Sequence, residues 1–188
     1  MNAAGFRRLA EHLVYQGHLW RVVVASFEAP DGRRFDRDVV RSPGAVGIVP
    51  VRFDPEGTPS VVLVRQYRAA LGTEVTEIPA GMRDVDGESP DRTAQRELAE
   101  EVGLAAGRLD LLTVFHNAVG MTDAVTHVYL ATGLTPVPPQ AQGPEEDAMV
   151  VLQIPVAEAV AEVVRGSITD AKTVIGLLLT ERRLAAGG

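Results

Sequence analysis

Runs of β-branched and aromatic residues, broken at short intervals by Gly, Pro and Asp, fill most of the first half of the chain. Residues 18–28 (HLWRVVVASFE) and 33–41 are two such runs joined through Ala29-Pro30-Asp31-Gly32. Asp-Gly between strand-like runs predicts a hairpin. Ser42-Pro43-Gly44 breaks the chain, and residues 45–53 and 60–67 predict strands on either side of a turn at Asp54-Pro55-Glu56-Gly57. A strand over 73–78 ends at Pro79-Ala80-Gly81. The apolar spacing then changes: Ala94, Leu98 and Val102 repeat every four residues, the stripe of a helix. Ser89 as N-cap, Pro90 in the first turn and Gly103 as a stop bound that helix to about 90–102. Strands near 110–116 and 125–132 follow, then a Pro-, Gly- and Gln-rich loop over 134–147 that turns acidic, and a strand near 148–154. Pro155 opens a helix that runs to Arg165 and stops at Gly166, and a last helix covers about 171–184. The opening segment, about 5–16, reads as a short helix or an arm. Strands interrupted by one central helix predict an α/β fold, with a mixed sheet between helices.

Length and composition narrow the class. A chain of 188 residues with 46% apolar content is enough for one domain with a well-buried core. A net charge of −7 argues against a nucleic-acid partner and against attraction to anionic membranes. No cysteine is present, which fits a cytoplasmic protein and excludes thiolate chemistry. The N-terminus does not read as a signal peptide, and no apolar run approaches a membrane span. Lys172 is the only lysine against seventeen arginines, a bias that a GC-rich genome explains.

The central helix carries the chemistry. Glu97, Glu100 and Glu101 stand at i, i+3 and i+4, so three carboxylates share the face beside the apolar stripe. Like charges at that spacing each cost roughly a few tenths of a kcal/mol in an isolated helix, and a divalent cation with hard oxygen ligands resolves the conflict. A solvated acidic face is the bland alternative. It must also account for Arg96, Gly103, two apolar positions and Glu88 at fixed offsets, a set that chance assembles in on the order of one chain in a million. Mg²⁺ or Mn²⁺ beside a Gly-containing loop implies a substrate with phosphate oxygens. Arg96 is placed to orient Glu88 or Glu100, a support for the carboxylates rather than a substrate ligand. Asp84-Val85-Asp86-Gly87-Glu88 superficially suggests a calcium loop, but its sixth position is Ser89 and its twelfth Gln95, so the register fails.

Gly81, Glu88 and Arg96-Glu97-Leu98-Ala99-Glu100-Glu101-Val102-Gly103-Leu104 resemble the Nudix box, G-x5-E-x7-R-E-U-x-E-E-x-G-U with U a bulky aliphatic residue. Six residues rather than five separate Gly81 from Glu88, and the extra one falls in the loop before the helix. The resemblance implies a Nudix α/β/α sandwich that hydrolyses a nucleoside diphosphate linked to another group. It makes Glu97 and Glu101 the main metal ligands, with Glu100 assisting and the Ala80 carbonyl a further ligand; Arg96 and Glu100 count among the catalytic residues.

Val64-Arg65-Gln66-Tyr67-Arg68, Glu77-Ile78-Pro79-Ala80-Gly81, the acidic Glu145-Glu146-Asp147 and Asp170-Ala171-Lys172-Thr173 resemble the ADP-ribose pyrophosphatase subfamily. That resemblance implies ADP-ribose as substrate, and a homodimer built through an N-terminal element over 1–43, with the catalytic fold over 44–188. Arg65 and Arg68 lie three apart on a strand, so at most one faces the site; Arg68 is the candidate for a phosphate or ribose contact, against a surface ion pair. Glu77 is assigned to ribose or arginine binding. Trp20 and Phe27 are candidates for adenine stacking, with core or dimer packing as the alternative. Glu145 and Glu146 are the candidate bases, and Asp147 a metal-side partner. The subfamily's Ser-Pro-Gly element falls on Ala118-Val119-Gly120, which keeps Gly120 as a substrate contact but puts Val119 in place of the proline; an expected acid is Ala124. Other nucleoside diphosphate sugars or dinucleotides are alternative substrates. A nucleotide sensor without activity is a further alternative, against which the intact Glu88, Glu97, Glu100 and Glu101 argue.

Overall fold

The computed structural model describes residues 5–138 and 148–186. The chain forms two compact units, Met1–Gly44 with His116–Val125, and Ala45–Phe115 with Thr126–Gly188.

The first unit is an antiparallel three-stranded sheet in the order β1-β2-β3, built from β1 (Arg7–Gln16), β2 (Arg21–Glu28) and β3 (Arg34–Arg41). Its second turn is the Asp31-Gly32 hairpin. Gly32 takes φ 84°, and its N–H donates to the Ala29 carbonyl at 2.9 Å. Phe27 pairs across the hairpin with Phe35, ring centroids 5.5 Å apart, so its ring is spent on packing this sheet. The segment expected as a short helix or arm is strand β1. The backbone groups on its inner side pair with β2, a tertiary gain that outweighs the mixed local preference of RRLAEHLVYQ. Asp123 ties the 116–125 loop to the end of β3, accepting from Ser42 N–H at 3.1 Å and Arg41 Nη1 at 3.0 Å.

The second unit is a seven-stranded mixed sheet with the path β10-β5-β4-β9-β8; β6 pairs with β5, and β7 with β4. Its strands are β4 (Ala45–Phe53), β5 (Pro59–Arg68), β6 (Thr73–Glu77), β7 (Ala80–Met82), β8 (Leu104–His116), β9 (Val125–Pro136) and β10 (Val150–Pro155). β4 runs parallel to β9 and antiparallel to β5 and β7. Successive side chains of a strand face opposite ways, and here both faces are covered, which is why β4 and β5 read as nearly continuous apolar runs. Val46, Ile48, Val62, Tyr129 and Ala131 pack under helix α1 (Pro90–Val102) through Ala94 and Leu98. Val49, Val51, Val61, Leu63, Val128 and Leu130 form the other core with Val156, Ala159, Val160 and Leu177 of helices α2 (Val156–Arg165) and α3 (Ala171–Ala186). The result is the expected α/β/α sandwich.

Helix α1 has the predicted bounds: Ser89 is the N-cap, Pro90 opens the first turn, and Gly103 ends the helix at φ 62°. Gln95 then pins α1 to the start of β8 through paired hydrogen bonds with the Ala106 backbone, 2.9 and 3.1 Å. Three strands differ from expectation, β9 by running on to Pro136 into the segment read as a loop. Residues 104–109, Ala- and Gly-rich and next to the helix stop, extend β8 upstream of 110. Ala80–Met82, read as a turn, form β7 because the Ala45–Gly47 edge of β4 is there to pair with them.

Leu98 is fully buried where α1 meets the sheet. Leu98→Ala is expected to lower unfolding free energy by about 2–5 kcal/mol in chemical denaturation. Exposed Leu178→Ala should change it by less than about 1 kcal/mol, and equal effects would contradict this docking.

Candidate active site

The apolar stripe of α1 faces the sheet, so the Glu97, Glu100 and Glu101 side of the helix lies next to β7. Arg96 is the hub of this face. Its Nη1 donates to Glu97 Oε1 at 2.7 Å and to Glu100 Oε2 at 2.9 Å. Its Nε and Nη2 donate to Glu88 at 3.3 and 3.2 Å, and Asp84 stands 3.9 Å away. One guanidinium therefore serves three carboxylates, and the expected choice between Glu88 and Glu100 is resolved as both. Among the described residues no three Asp, Glu or His side chains converge as they stand on a point that would hold an ion. Arg96 sits between Glu97 and Glu100 instead.

β7 shapes the floor. A Cβ at Gly81 would overlap the Glu97 carboxylate, so only glycine admits that side chain here. Next to it, the Ala80 N–H donates to Glu101 Oε2 at 2.9 Å and orients the carboxylate predicted as a main ligand.

A second polar group lies at the end of β5 and β6. Arg68 grips Glu77 with both arms, Nε to Oε1 at 2.6 Å and Nη2 to Oε2 at 2.8 Å. Lys172 also donates to Glu77 Oε2 and lies 3.0 Å from Asp170. Glu77 is thus an arginine and lysine partner, with both oxygens engaged by the protein. Among the described residues no hydrogen bond from Arg68 Nη1 is found. Arg68, Leu71, Val75, Thr169 and Lys172 line a cavity of about 280 Å³ here. Arg65 is exposed, and its ion pair among the described residues is with Glu74, at 3.9 Å.

The two buried glutamates behave oppositely. Glu77 is 2% exposed and Glu97 8%. Burial opposes the charge on both. Two cations, Arg68 and then Lys172, outweigh it at Glu77 and hold that carboxyl below its usual range. At Glu97 burial wins and pushes the carboxyl up to about 7, because Arg96 is shared and Glu100 and Asp84 add repulsion. The α1 face lacks positive charge, and the Glu77 group does not.

Trp20 and Gly120 belong to the first unit. Trp20 is 52% exposed, its carbonyl accepting from Gly17 N–H at 2.8 Å, and Gly120 lies in the exposed turn after Asn117. Glu145, Glu146 and Asp147 lie outside the described residues. Sequence reasoning did not single out Asp170, Lys172 and Thr173 individually. Two signals were available: the segment Asp170-Ala171-Lys172-Thr173 carried part of the resemblance, and Lys172, set aside as codon bias, is the only lysine.

A family model described as the NUDIX domain matches residues 41–173. The chain belongs to the Nudix family. This Nudix hydrolase is 32% identical to an ADP-ribose pyrophosphatase of Bacillus subtilis over 92% of this chain and 91% of that protein. It is 37% identical to an ADP-ribose pyrophosphatase of Mycobacterium tuberculosis over 92% and 82%. A crystal structure of an "ADP compounds hydrolase" superposes with a TM-score of 0.83 at 24% identity, covering 97% of this chain and 96% of the other, a likeness of fold. The enzyme is of the ADP-ribose pyrophosphatase type.

The raised Glu97 gives a pH signature. The folded state holds a proton there up to about 7, whereas an unfolded Glu loses it near 4.5. Stability from this group is therefore present below about 4.5 and is lost as pH rises to about 7, a change on the order of 3 kcal/mol. In metal-free denaturation, wild type minus Glu97→Gln should show that falling difference. A flat difference between pH 4.5 and 7 would contradict it.

Proposed function

We propose that this Nudix hydrolase cleaves ADP-ribose with water to AMP and ribose 5-phosphate, using Mg²⁺ or Mn²⁺. The observation that carries the reading is the surplus of carboxylates on Arg96, with Glu97 buried short of countercharge. Hard oxygen donors with uncompensated negative charge fit a divalent cation. Glu97, Glu100, Glu101 and the Ala80 carbonyl would hold it, with Asp147 as a further acid. When bound, such an ion neutralises phosphate oxygens and lowers the pKa of water it carries.

The chain's own groups do the rest. Arg96 releases Glu97 and Glu100 to bind and keeps Glu88, so the carboxylates stay aligned. Arg68, locked by Glu77, offers Nη1 to a phosphate or ribose oxygen. Glu145 or Glu146 takes the proton from the attacking water, and Trp20 and Gly120 touch the substrate. The relatives named ADP-ribose pyrophosphatase, matched along nearly the whole chain, support the choice of substrate. Relatives named GDP-mannose pyrophosphatase make GDP-mannose the comparison substrate. Chromatography should show AMP and ribose 5-phosphate from ADP-ribose, with Glu101→Gln strongly impaired. Either Glu145→Gln or Glu146→Gln should lose about 10²–10⁴ in turnover. Cleavage of GDP-mannose without AMP release from ADP-ribose would overturn the substrate, and unchanged rates in both Gln variants would remove that loop from the reaction.

We also propose a homodimer through the first unit. β1 is exposed along its length and carries Leu9, Leu13, Val14 and Tyr15 outward, an uncovered apolar surface. Light scattering should give twice the chain mass, and Leu13→Asp with Tyr15→Asp should give the monomer. A monomeric wild type would contradict this.

A further inference from the structure

We infer that the start of helix α3 is a positioning device for both halves of the site: Asp170 holds Thr173 and Lys172 so that Thr173 sets the Glu101 cradle and Lys172 sets Arg68. The roles of those two ends rest on the functional reading above.

One carboxylate oxygen joins the two arms. Asp170 Oδ2 accepts from the Thr173 N–H at 3.0 Å, from the Thr173 hydroxyl at 2.6 Å and from Lys172 Nζ at 3.0 Å. With its hydrogen given to Asp170, the Thr173 hydroxyl is left as an acceptor, and it takes the Ile78 N–H at 2.9 Å. Thr173 and Ile78 are both fully buried, so no water replaces that bond. Ile78 begins the turn into β7. Pro79 has no N–H, and its carbonyl accepts from Ile48 N–H at 2.8 Å. The next N–H, of Ala80, holds Glu101. The Ile78 N–H, the Pro79 carbonyl and the Ala80 N–H are thus all committed, and Thr173 is the side chain that fixes the entry of this turn. The other arm runs from Lys172 to Glu77 and from Glu77 to Arg68.

An ordinary helix cap accounts for Asp170 accepting the Thr173 N–H. It does not require the hydroxyl to reach Ile78, 95 residues away, or the only lysine to reach Glu77.

Thr173→Val keeps the shape and removes the acceptor, Thr173→Ser keeps the hydroxyl, and Lys172→Met cuts only the second arm. Mg²⁺ titration followed by thermal shift, without substrate, reads the Glu101 end. The split between KM and kcat for ADP-ribose reads the Arg68 end. Thr173→Val should raise the Mg²⁺ midpoint about tenfold, with Thr173→Ser within about twofold of wild type. Lys172→Met should raise KM about tenfold and leave the Mg²⁺ midpoint in place. A Val variant that binds Mg²⁺ like wild type, or a Ser variant as impaired as Val, overturns the inference. Should Thr173→Val not fold, an unchanged KM in Lys172→Met overturns it instead. Absence of ADP-ribose hydrolysis by wild type would sink the functional reading alone, because the Mg²⁺ titration still tests the Thr173 arm.

Discussion

Arg96 is asked to neutralise more charge than one guanidinium carries, and the site is organised around that deficit. Glu88, Glu97 and Glu100 all lean on it, while burial of Glu97 removes the water that would otherwise screen the excess. The fold keeps the deficit in place. Ala94 and Leu98 lock α1 to the sheet, and Gly81 withdraws its side chain to admit Glu97. A chain selected for stability alone would place a lysine on this face; under the proposed function that cost is what would give the face affinity for a cation.

The contrast with Glu77 shows that burial alone does not decide a carboxylate's role. Both glutamates are removed from water, yet Glu77 is held below its ordinary range and Glu97 is pushed above it. Glu77 has Arg68 on both oxygens and shares Lys172 with Asp170, and it serves as scaffold. Glu97 shares its cation, which leaves it ready to exchange that partner for a stronger one. The opposed pKa displacements thus follow from the countercharge each carboxylate has, at comparable burial.

Local signals were legible in the sequence, and long-range ones were not. Ser89-Pro90 and Gly103 bounded α1 because caps act within a turn, and the Glu97, Glu100 and Glu101 spacing placed three carboxylates on one face of it. β7 was hidden because Pro79-Ala80-Gly81 has the chemistry of a turn, and three residues become a strand only beside β4. β1 was hidden for the same reason: its pairing with β2 is a property of the sheet. Glu77 was suspected of binding an arginine, but its other partner lies 95 residues on, and no local pattern connects them. The rarity of lysine and the resemblance carried by Asp170-Ala171-Lys172-Thr173 marked the segment, but neither pointed from Lys172 to Glu77.

Anomalous scattering from a manganese-soaked crystal tests most directly whether this charge deficit is a cation site. The account predicts a peak within coordination distance of Glu97 and Glu101, with Arg96 Nη1 withdrawn from Glu97. An active enzyme whose only manganese lies elsewhere, with Arg96 still bridging Glu97 and Glu100, would contradict it.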